Sequence, residues 1–292
     1  MMTALRAGRA RVVEPNDRHG RPLIPNLVLI LGAVYCLFPI VWVLTAATKS
    51  PADLFSTTPF VPGSGLTGNI RALFEYRDGV FFRWTLNSLL YAGGGAFLST
   101  VISAMAGYAF AKYTFFAKRF LFGMILTGVL LPQIILAMPQ YLLGSQIGLA
   151  NTYWSVLLPG LVSPFGIYLA RIYAAATVSD GLLDAARVDG ASEARIFVRV
   201  ALPLMVPGLV TVFLLQFISI WNNFLLPYVM LATEDRYPLT LGLFSIMAKS
   251  REQTLYSLAI VGAALAVIPL LLLLLVLQRY WRLDLLSGSV KG

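Results

Sequence analysis

The stretch Asp184–Phe197, DAARVDGASEARIF, places four charged side chains within ten residues, between two long apolar runs. Around it the chain is apolar: 58% of its 292 residues are hydrophobic, 12% are charged, and the mean hydropathy is +0.78. A soluble domain of average composition carries about 25% charged residues. The composition therefore predicts an integral membrane protein, in which this stretch is a charged interruption.

Charged residues divide the chain into long uncharged runs, at 22–48, 84–111, 120–170, 200–233 and 253–278. Each run exceeds the roughly 20 apolar residues that cross a bilayer as a helix. The third run is long enough to cross twice, and its turn-forming residues Gly144–Thr152 indicate where it reverses.

The runs predict an all-α membrane protein with six transmembrane helices, near 25–48, 86–110, 120–142, 153–172, 206–230 and 256–279. We assign residues 25–281 to this six-helix domain. Residues 1–24 and 282–292 are assigned to two terminal tails.

The distribution of Lys and Arg predicts the orientation of the spans. Six spans place both termini on one side, and 15 of the 22 Lys and Arg residues lie on that side. Because cytoplasmic loops are enriched in these residues, we expect a multi-pass protein of the cell membrane with both termini and residues 173–201 in the cytoplasm. Topology and attraction to anionic lipid account for the net charge of +9, so no nucleic acid partner is expected.

Residues 173–201, called the connecting segment below, are predicted to contain two short amphipathic helices. Leu183 lies on an apolar side before the sequence Asp189–Ser192, DGAS, and Ile196 and Val200 lie on one after it. The glycine in DGAS suits a bend between the two helices. On the pattern alone, a solvated connection with a lipid-facing apolar side is the alternative.

The segment Asp180–Leu209 resembles the cytoplasmic signature of ABC-importer permeases, in which Glu-Ala-Ala is followed by Gly and then by Leu-Pro. Asp184 stands in place of the usual Glu, which keeps the charge and shortens the side chain. The resemblance covers nearly the whole chain and is to the carbohydrate-uptake branch, in the smaller six-helix subunit of the maltose type. It is carried further by NSLLYAGGG from Asn87, GLANTYWSVLLP from Gly148, ISIWNNFLLPYVML from Ile218 and SGSVKG from Ser287.

This resemblance implies that the connecting segment docks into a cleft on a cytoplasmic ATPase and transmits nucleotide-driven closure. The residues that match this role are Asp184, Ala185, Ala186, Asp189, Gly190, Ala191, Phe197, Leu202 and Pro203. The implied partners are two ATP-binding subunits, a second homologous permease subunit that forms a heterodimer with this one, and an extracytoplasmic sugar-binding protein. Residues 49–85 and 231–255 are the expected contacts of the sugar-binding protein, with ordinary surface loops as the alternative.

The chain itself is not expected to be an enzyme. It lacks the sequence Gly-x-x-x-x-Gly-Lys-[Ser/Thr] that binds nucleotide phosphates, and Gly-Lys occurs nowhere in it. We therefore expect no cofactor on this chain, and the resemblance implies that ATP and Mg are used by the partner ATPase.

Polar residues inside the predicted spans are the candidates for a sugar path. Gln133 lies on the third span, while Gln216, Ser219 and Asn223 fall at i, i+3 and i+7 on the fifth, with Asn222 adjacent. Polar groups at such depth should face protein or a cavity. Hydrogen bonding between helices is the alternative explanation.

Small residues recur at every fourth position on the second predicted span, at Gly95, Ser99, Ser103 and Gly107. This spacing lets membrane helices approach closely. We interpret the four positions as a helix-packing face rather than a pore lining.

Several other functions are weighed against sugar import. A permease of the same type for a non-sugar solute, such as a polyol phosphate, stays open, although the lack of Arg or Lys deep in the spans favours a neutral sugar. An ion-coupled secondary transporter would carry charged groups at depth, and the spans contain essentially none. An intramembrane hydrolase would need a nucleophile with a base, and the one histidine, His19, lies in the predicted tail.

Overall fold

The computed structural model describes residues 23–249 and 253–288, and the regular elements in those residues are all helices. The predicted N-terminal tail, up to residue 22, lies outside the described residues, and so do residues 250–252 and 289–292. The helices are α1 (Leu23–Ala47), α2 (Asp53–Ser56), α3 (Leu66–Glu75), α4 (Val80–Leu89), α5 (Gly95–Lys112), α6 (Lys118–Leu130), α7 (Gln133–Gln146), α8 (Tyr153–Leu161), α9 (Pro164–Thr177), α10 (Asp180–Val188), α11 (Glu193–Ile196), α12 (Leu202–Trp221), α13 (Leu225–Met230), α14 (Leu239–Lys249) and α15 (Gln253–Gly288).

The chain divides into two compact units after Trp42. In the first, α1 is an apolar helix with Pro39 in its interior. In the second, the last residues of α1, Ala46 and Ala47, are buried in an apolar cluster around Trp84.

Five helical stretches are long and apolar enough to cross a membrane: Leu23–Ala47, Val80–Lys112, Tyr153–Thr177, Glu193–Trp221 and Thr254–Tyr280. The bent pair α6 and α7 raises the number to six if the pair counts as one span. This agrees with the predicted all-α membrane protein of six spans. The second stretch begins at Val80, earlier than predicted, because a π-type turn at Leu90–Gly94 joins α4 to α5 without ending the helical path.

The predicted third helix, 120–142, is wrong as a single helix. α6 ends at Leu130, α7 begins at Gln133, and the two helices are bent by 105° relative to each other. Leu131 has an extended conformation with ψ 122°. Proline disfavours a helical conformation at the residue before it, so Pro132 accounts for the break.

The predicted fifth helix, 206–230, also has the wrong bounds. α11 continues through a π-type turn at Phe197–Ala201 into α12, and α12 ends at Trp221. Asn223 Oδ1 then accepts a hydrogen bond from Leu226 N–H at 3.3 Å, in the first turn of the separate helix α13. Asparagine side chains compete in this way with the helical backbone, which explains why the helix stops here.

The small residues of α5 form a packing face, as predicted: Gly95, Ser99, Ser103 and Gly107 are all buried. Ser103 and Gly107 lie against α9, whereas Gly95 lies against Ile220 of α12 and Leu157 of α8. A Cβ atom at Gly107 would lie 2.7 Å from Ala170 Cβ, so the two helices approach as closely as a glycine permits.

Candidate functional site

The connecting segment folds into the two helices that the sequence predicts. Ser179 Oγ accepts a hydrogen bond from Leu182 N–H at 3.4 Å, which caps the start of α10. The second helix, α11, is short on its own but is continuous with the fifth span through the turn Phe197–Ala201. A movement of α11 is therefore a movement of the end of that span.

The turn between α10 and α11 lies at the predicted hinge, Asp189–Ser192. Gly190 has φ +77°. Ala191 N–H donates to Ala186 O and Gly190 N–H donates to Arg187 O, each at 3.0 Å. These two bonds form a Schellman motif, whose left-handed residue is usually glycine because a Cβ atom is unfavourable there.

One side of the connecting segment packs into an apolar cluster at the ends of α5, α9 and α12. Leu183 is 2% exposed and Ile196 is fully buried. The Phe197 ring lies 5.2 Å from the ring of Tyr108 on α5. The buried members of the cluster are Ala104, Tyr108, Ala170, Ala174, Val178, Leu183, Ile196, Ala201, Met205 and Leu209.

The other side of α10 is exposed and partly apolar. Val188 is 87% exposed and Leu182 is 48% exposed, with the exposed Ala185 between them at a spacing of three residues. Residues three apart lie on neighbouring parts of one helix face. α10 thus presents an apolar strip, Leu182, Ala185 and Val188, that nothing in the described part of the chain covers.

Charged residues edge this strip and tie α10 to α11. Arg187 donates to Asp184 Oδ1 at 2.8 Å and to Glu193 Oε1 at 2.8 Å. These hydrogen bonds raise the pKa of the Arg187 guanidinium above its usual range, Glu193 being the larger cause. Arg187 therefore stays charged and links the two helices across the Gly190 turn.

A second ion pair ties the connecting segment to α5. Lys112 Nζ donates to Asp180 Oδ1 at 2.8 Å. This hydrogen bond holds the pKa of the Asp180 carboxyl below its usual range. Nearby, Tyr113 OH donates to Glu193 Oε2 at 2.6 Å, so both ends of the segment are attached to the end of α5.

The structure separates the predicted coupling residues into two groups. One group is partly buried against the apolar cluster at the ends of α5, α9 and α12, and it consists of Ala186, Ala191, Phe197 and Leu202. The exposed group consists of Asp184, Ala185, Asp189, Gly190 and Pro203. Sequence matching missed Leu182 and Val188, although their spacing with Ala185 is a signal that a helical projection would have found.

The structure explains one of the predicted path residues by a contact between helices. Gln216 Nε2 donates to Ser163 Oγ at 2.6 Å. Ser163 Oγ also accepts from Gly166 N–H at 3.0 Å and caps α9 at the break in the fourth span. Ser163 was missed, although a serine directly before Pro164 is a common helix-start signal.

The other predicted path residues are not gathered on one helix face. Gln133 is exposed at the start of α7, and Ser219 is exposed on α12. Because α12 ends at Trp221, Asn223 does not continue the i, i+3, i+7 series, so that geometric prediction is wrong. Asn222 is exposed, and its Nδ2 donates back to Ile218 O at 2.9 Å.

Residues 231–239 follow α13, beyond the end of α12 that is opposite the connecting segment. Side chains of the second span hold them in place. Trp84 Nε1 donates to Glu234 O at 3.0 Å. Asn87 Nδ2 donates to Asp235 O at 2.8 Å, and Leu239 N–H donates to Ser88 Oγ at 2.7 Å. The first part of the predicted 231–255 loop is therefore held in a defined conformation by hydrogen bonds to the second span.

Further bonds hold the same residues from other directions. Asn151 Oδ1 accepts from Ala232 N–H at 3.0 Å and from Thr233 N–H at 3.2 Å. Arg77 pairs with Glu234 at 2.5 Å, and Arg83 pairs with Asp235. These two ion pairs could not be predicted from the sequence, because their partners are more than a hundred residues apart.

Among the side chains that the structure describes, in residues 23–248 and 254–280, no three of His, Cys, Asp or Glu lie together in a way that could hold a metal ion. The connecting segment offers an apolar strip, charged edges and a rigid turn.

Comparison of the sequence with known proteins identifies one family. The model of the family described as binding-protein-dependent transport system inner membrane component matches residues 99–283. The arabinooligosaccharides transport system permease protein of Halalkalibacterium halodurans is 33% identical over 263 residues, which are 89% of this chain and 93% of the relative. The lactose transport system permease protein of Rhizobium radiobacter is 30% identical over 291 residues, which are 100% of both chains.

A solved structure has a similar fold. It is the crystal structure of a bacterial ABC transporter involved in the import of the acidic polysaccharide alginate, and one of its chains superposes with a TM-score of 0.77. The superposition covers 88% of this chain and 95% of that chain, with 23% sequence identity. At that identity the likeness concerns the fold alone.

Proposed function

Because the chain belongs to the family of binding-protein-dependent transport system inner membrane components, we propose that it is the permease subunit of an ATP-driven sugar importer. The proposal is carried by the similarity, along nearly the whole chain, to permeases named for arabinooligosaccharides and for lactose. A permease of the same type for a non-sugar solute such as a polyol phosphate is the second candidate. The absence of Arg and Lys from the middle of the described spans favours a neutral sugar.

In this proposal the chain works within an assembly. It pairs with a second homologous permease subunit, and each of the two contacts an ATP-binding subunit on the cytoplasmic side, where both termini and the connecting segment lie. An extracytoplasmic sugar-binding protein delivers the solute to the opposite side. ATP and Mg are bound by the ATP-binding subunits, and this chain performs no catalysis.

The connecting segment is proposed to be the contact with the ATP-binding subunit. Its apolar strip of Leu182, Ala185 and Val188 suits a cleft on a partner, because burial of apolar surface supplies affinity and the charged edges supply specificity. The Arg187 ion pairs and the Gly190 turn keep α10 and α11 together as one body. A displacement of this body is passed through Leu183 and Ile196 to the ends of α5, α9 and α12.

The sugar path is proposed to follow the helix breaks of the fourth and fifth spans. Breaks expose backbone and side-chain polar groups at depth, and such groups are found where they line a cavity. The Ser163–Gln216 pair lies at the first break, and Asn222 and Asn223 form the second. Amide side chains both donate and accept hydrogen bonds, as the hydroxyl rim of a sugar requires.

Uptake measurements test the proposal. Deletion of the gene should abolish uptake of one carbohydrate at low external concentration, and the intact gene should restore it. Uptake should continue when a protonophore collapses the ion gradient while ATP is maintained, and it should stop when ATP is depleted. Uptake that follows the ion gradient, or loss of a non-carbohydrate solute alone, would contradict it.

Two substitutions at Asn223 separate a path role from a structural role. Asn223→Ser keeps an oxygen that can accept from Leu226 N–H but removes the amide donors, so we expect lower sugar uptake with normal complex yield. Asn223→Leu removes the cap as well, at a cost of about 1 kcal/mol, and should lower the complex yield. Yield and uptake are measured for both variants and for the wild type. Normal uptake by Asn223→Ser would restrict Asn223 to capping.

A further inference from the structure

Arg171 is a charged residue inside an otherwise apolar span. It lies six residues before Thr177, the end of α9, which is about 9 Å along the helix axis. A charge this close to the end of a span is stabilised where it meets an anion, a polar group or water. Arg171 takes part in none of the ion pairs between described residues.

The guanidinium of Arg171 rests on an aromatic surface between α6 and α9. Its Cζ atom is 4.2 Å from the centroid of the Phe122 ring, and Phe122 in turn stacks on Tyr168 at 6.5 Å. A cation–π contact stabilises the charge, but an aromatic ring gives the guanidinium N–H donors no anionic oxygen. The positive charge of Arg171 therefore has no anionic partner among the described residues, and an anion from outside them could pair with it.

Lys118 adds a second positive charge one helical turn before Phe122. It lies four residues before Phe122 on α6, and residues at this spacing share a helix face with Cβ atoms about 5–6 Å apart. Lys118 Nζ donates to Tyr113 O at 2.7 Å, which occupies one of its three donors. No carboxylate pairs with Lys118 among the described residues.

Exposed apolar side chains lie beside the two cations in the sequence. Phe116, two residues before Lys118, is 97% exposed, and Ile172, next to Arg171, is 42% exposed. Aromatic and basic residues together mark the level of the lipid headgroups in membrane proteins. An anion that arrives with acyl chains would cover these apolar residues, whereas a free anion would leave them bare.

We propose that Arg171 and Lys118 bind the phosphate of an anionic phospholipid, whose acyl chains pack against Phe116 and Ile172. Basic groups between transmembrane helices commonly bind anionic headgroups in this way. The inference rests on the orientation proposed above, which places the groove in the cytoplasmic leaflet, where anionic lipids are abundant. It does not depend on which solute is transported.

Lipid retention by the purified complex tests the proposal. The complex is equilibrated in nanodiscs of phosphatidylcholine mixed with phosphatidylglycerol, and retained lipid is identified by native mass spectrometry. The wild-type complex should retain phosphatidylglycerol in preference to phosphatidylcholine. Arg171→Gln and Lys118→Gln should each weaken that preference about fivefold, the usual contribution of one basic residue near an anionic membrane surface.

Matched variants make the outcome decisive. Arg171→Lys keeps the charge and should retain most of the preference, while Arg71→Gln removes an exposed charge that is paired with Glu75 and should change nothing. If Arg171→Gln fails to assemble, Lys118→Gln carries the test, because the hydrogen bond of Lys118 is to a backbone carbonyl. Equal loss in Arg71→Gln, no preference in the wild-type complex, or displacement of the lipid by inorganic phosphate would each overturn the proposal. Because none of these measurements uses sugar or ATP, their failure is distinct from failure of the import function.

Discussion

Gly107→Val is expected to abolish the recovery of folded protein. A Cβ atom at this position would lie 2.7 Å from Ala170 Cβ and 2.7 Å from Arg171 N. The backbone of α9 cannot retreat without separating α5 from α9 along their whole contact. Overpacking of a well-packed core costs about 1–3 kcal/mol, and the fixed backbone places Gly107→Val at or above the upper end of that range.

The measurement is the monodisperse fraction of detergent-solubilised protein, together with its thermal unfolding midpoint. Gly123→Val is the matched control, since it introduces the same side chain on the membrane helix α6 where nothing lies within 4 Å of the new Cβ atom. We expect Gly123→Val to be recovered as well as the wild type. Equal recovery of the Gly107 variant would show that α5 and α9 do not need their close approach.

Gly190→Trp is expected to leave the folded protein in the membrane but to stop transport. Among the described residues other than its two chain neighbours, no atom lies within 4 Å of a Cβ atom at Gly190, so the packing of the spans is unaffected. The left-handed conformation, φ +77°, costs a residue other than glycine about 1–2 kcal/mol. The indole also stands beside the exposed strip that is proposed to meet the ATP-binding subunit, so the turn is strained and the docking face is blocked. We expect at least a tenfold loss of uptake, which corresponds to about 1.4 kcal/mol.

Gly148→Trp controls for strain and bulk. Gly148 has φ +71° with nothing within 4 Å of its Cβ position, and it lies in the turn before α8, at the opposite end of the fourth span. Complex yield and uptake are compared in the two variants. If both lose uptake equally, backbone strain alone explains the effect and the docking role of the Gly190 turn is disproved.

Much of the fold follows from residues that act locally or by composition. Uncharged runs longer than a bilayer is thick have few alternatives to transmembrane helices, so the all-α class and the six spans were predictable. The breaks were not, although Pro132 marks one of them. A proline in a membrane helix can bend, break or leave the helix continuous, and Pro139 inside α7 does not end it. Which of these outcomes occurs depends on the neighbouring helices.

In the candidate site, the position of the turn at Gly190 was predictable from the sequence. Which residues of α10 are exposed and which are packed was not. Gly190 followed by a small residue already favours a helix end, and the structure has a Schellman motif there. Ala185 and Ala186 are chemically identical, yet the first is exposed and the second is packed against the cluster. Only the position of α5 and α12 beneath the helix distinguishes them. The environment of Asn223 was also not predictable from the sequence. It depends on where α12 ends, and the Asn223 side chain itself helps to end that helix.

The attachment of residues 231–239 to the second span has a consequence for how the protein is made. The donors Trp84, Asn87 and Tyr91 are 145 to 150 residues away in sequence from the carbonyl oxygens that accept their hydrogen bonds. At a synthesis rate of about 5–20 residues per second, the ribosome takes roughly 7–30 s to produce those partners. During that time the newly inserted second span carries polar groups without their native acceptors. A ribosome that stalls before residue 231 therefore leaves an unfinished protein whose indole and amide groups are open to chaperones and membrane proteases.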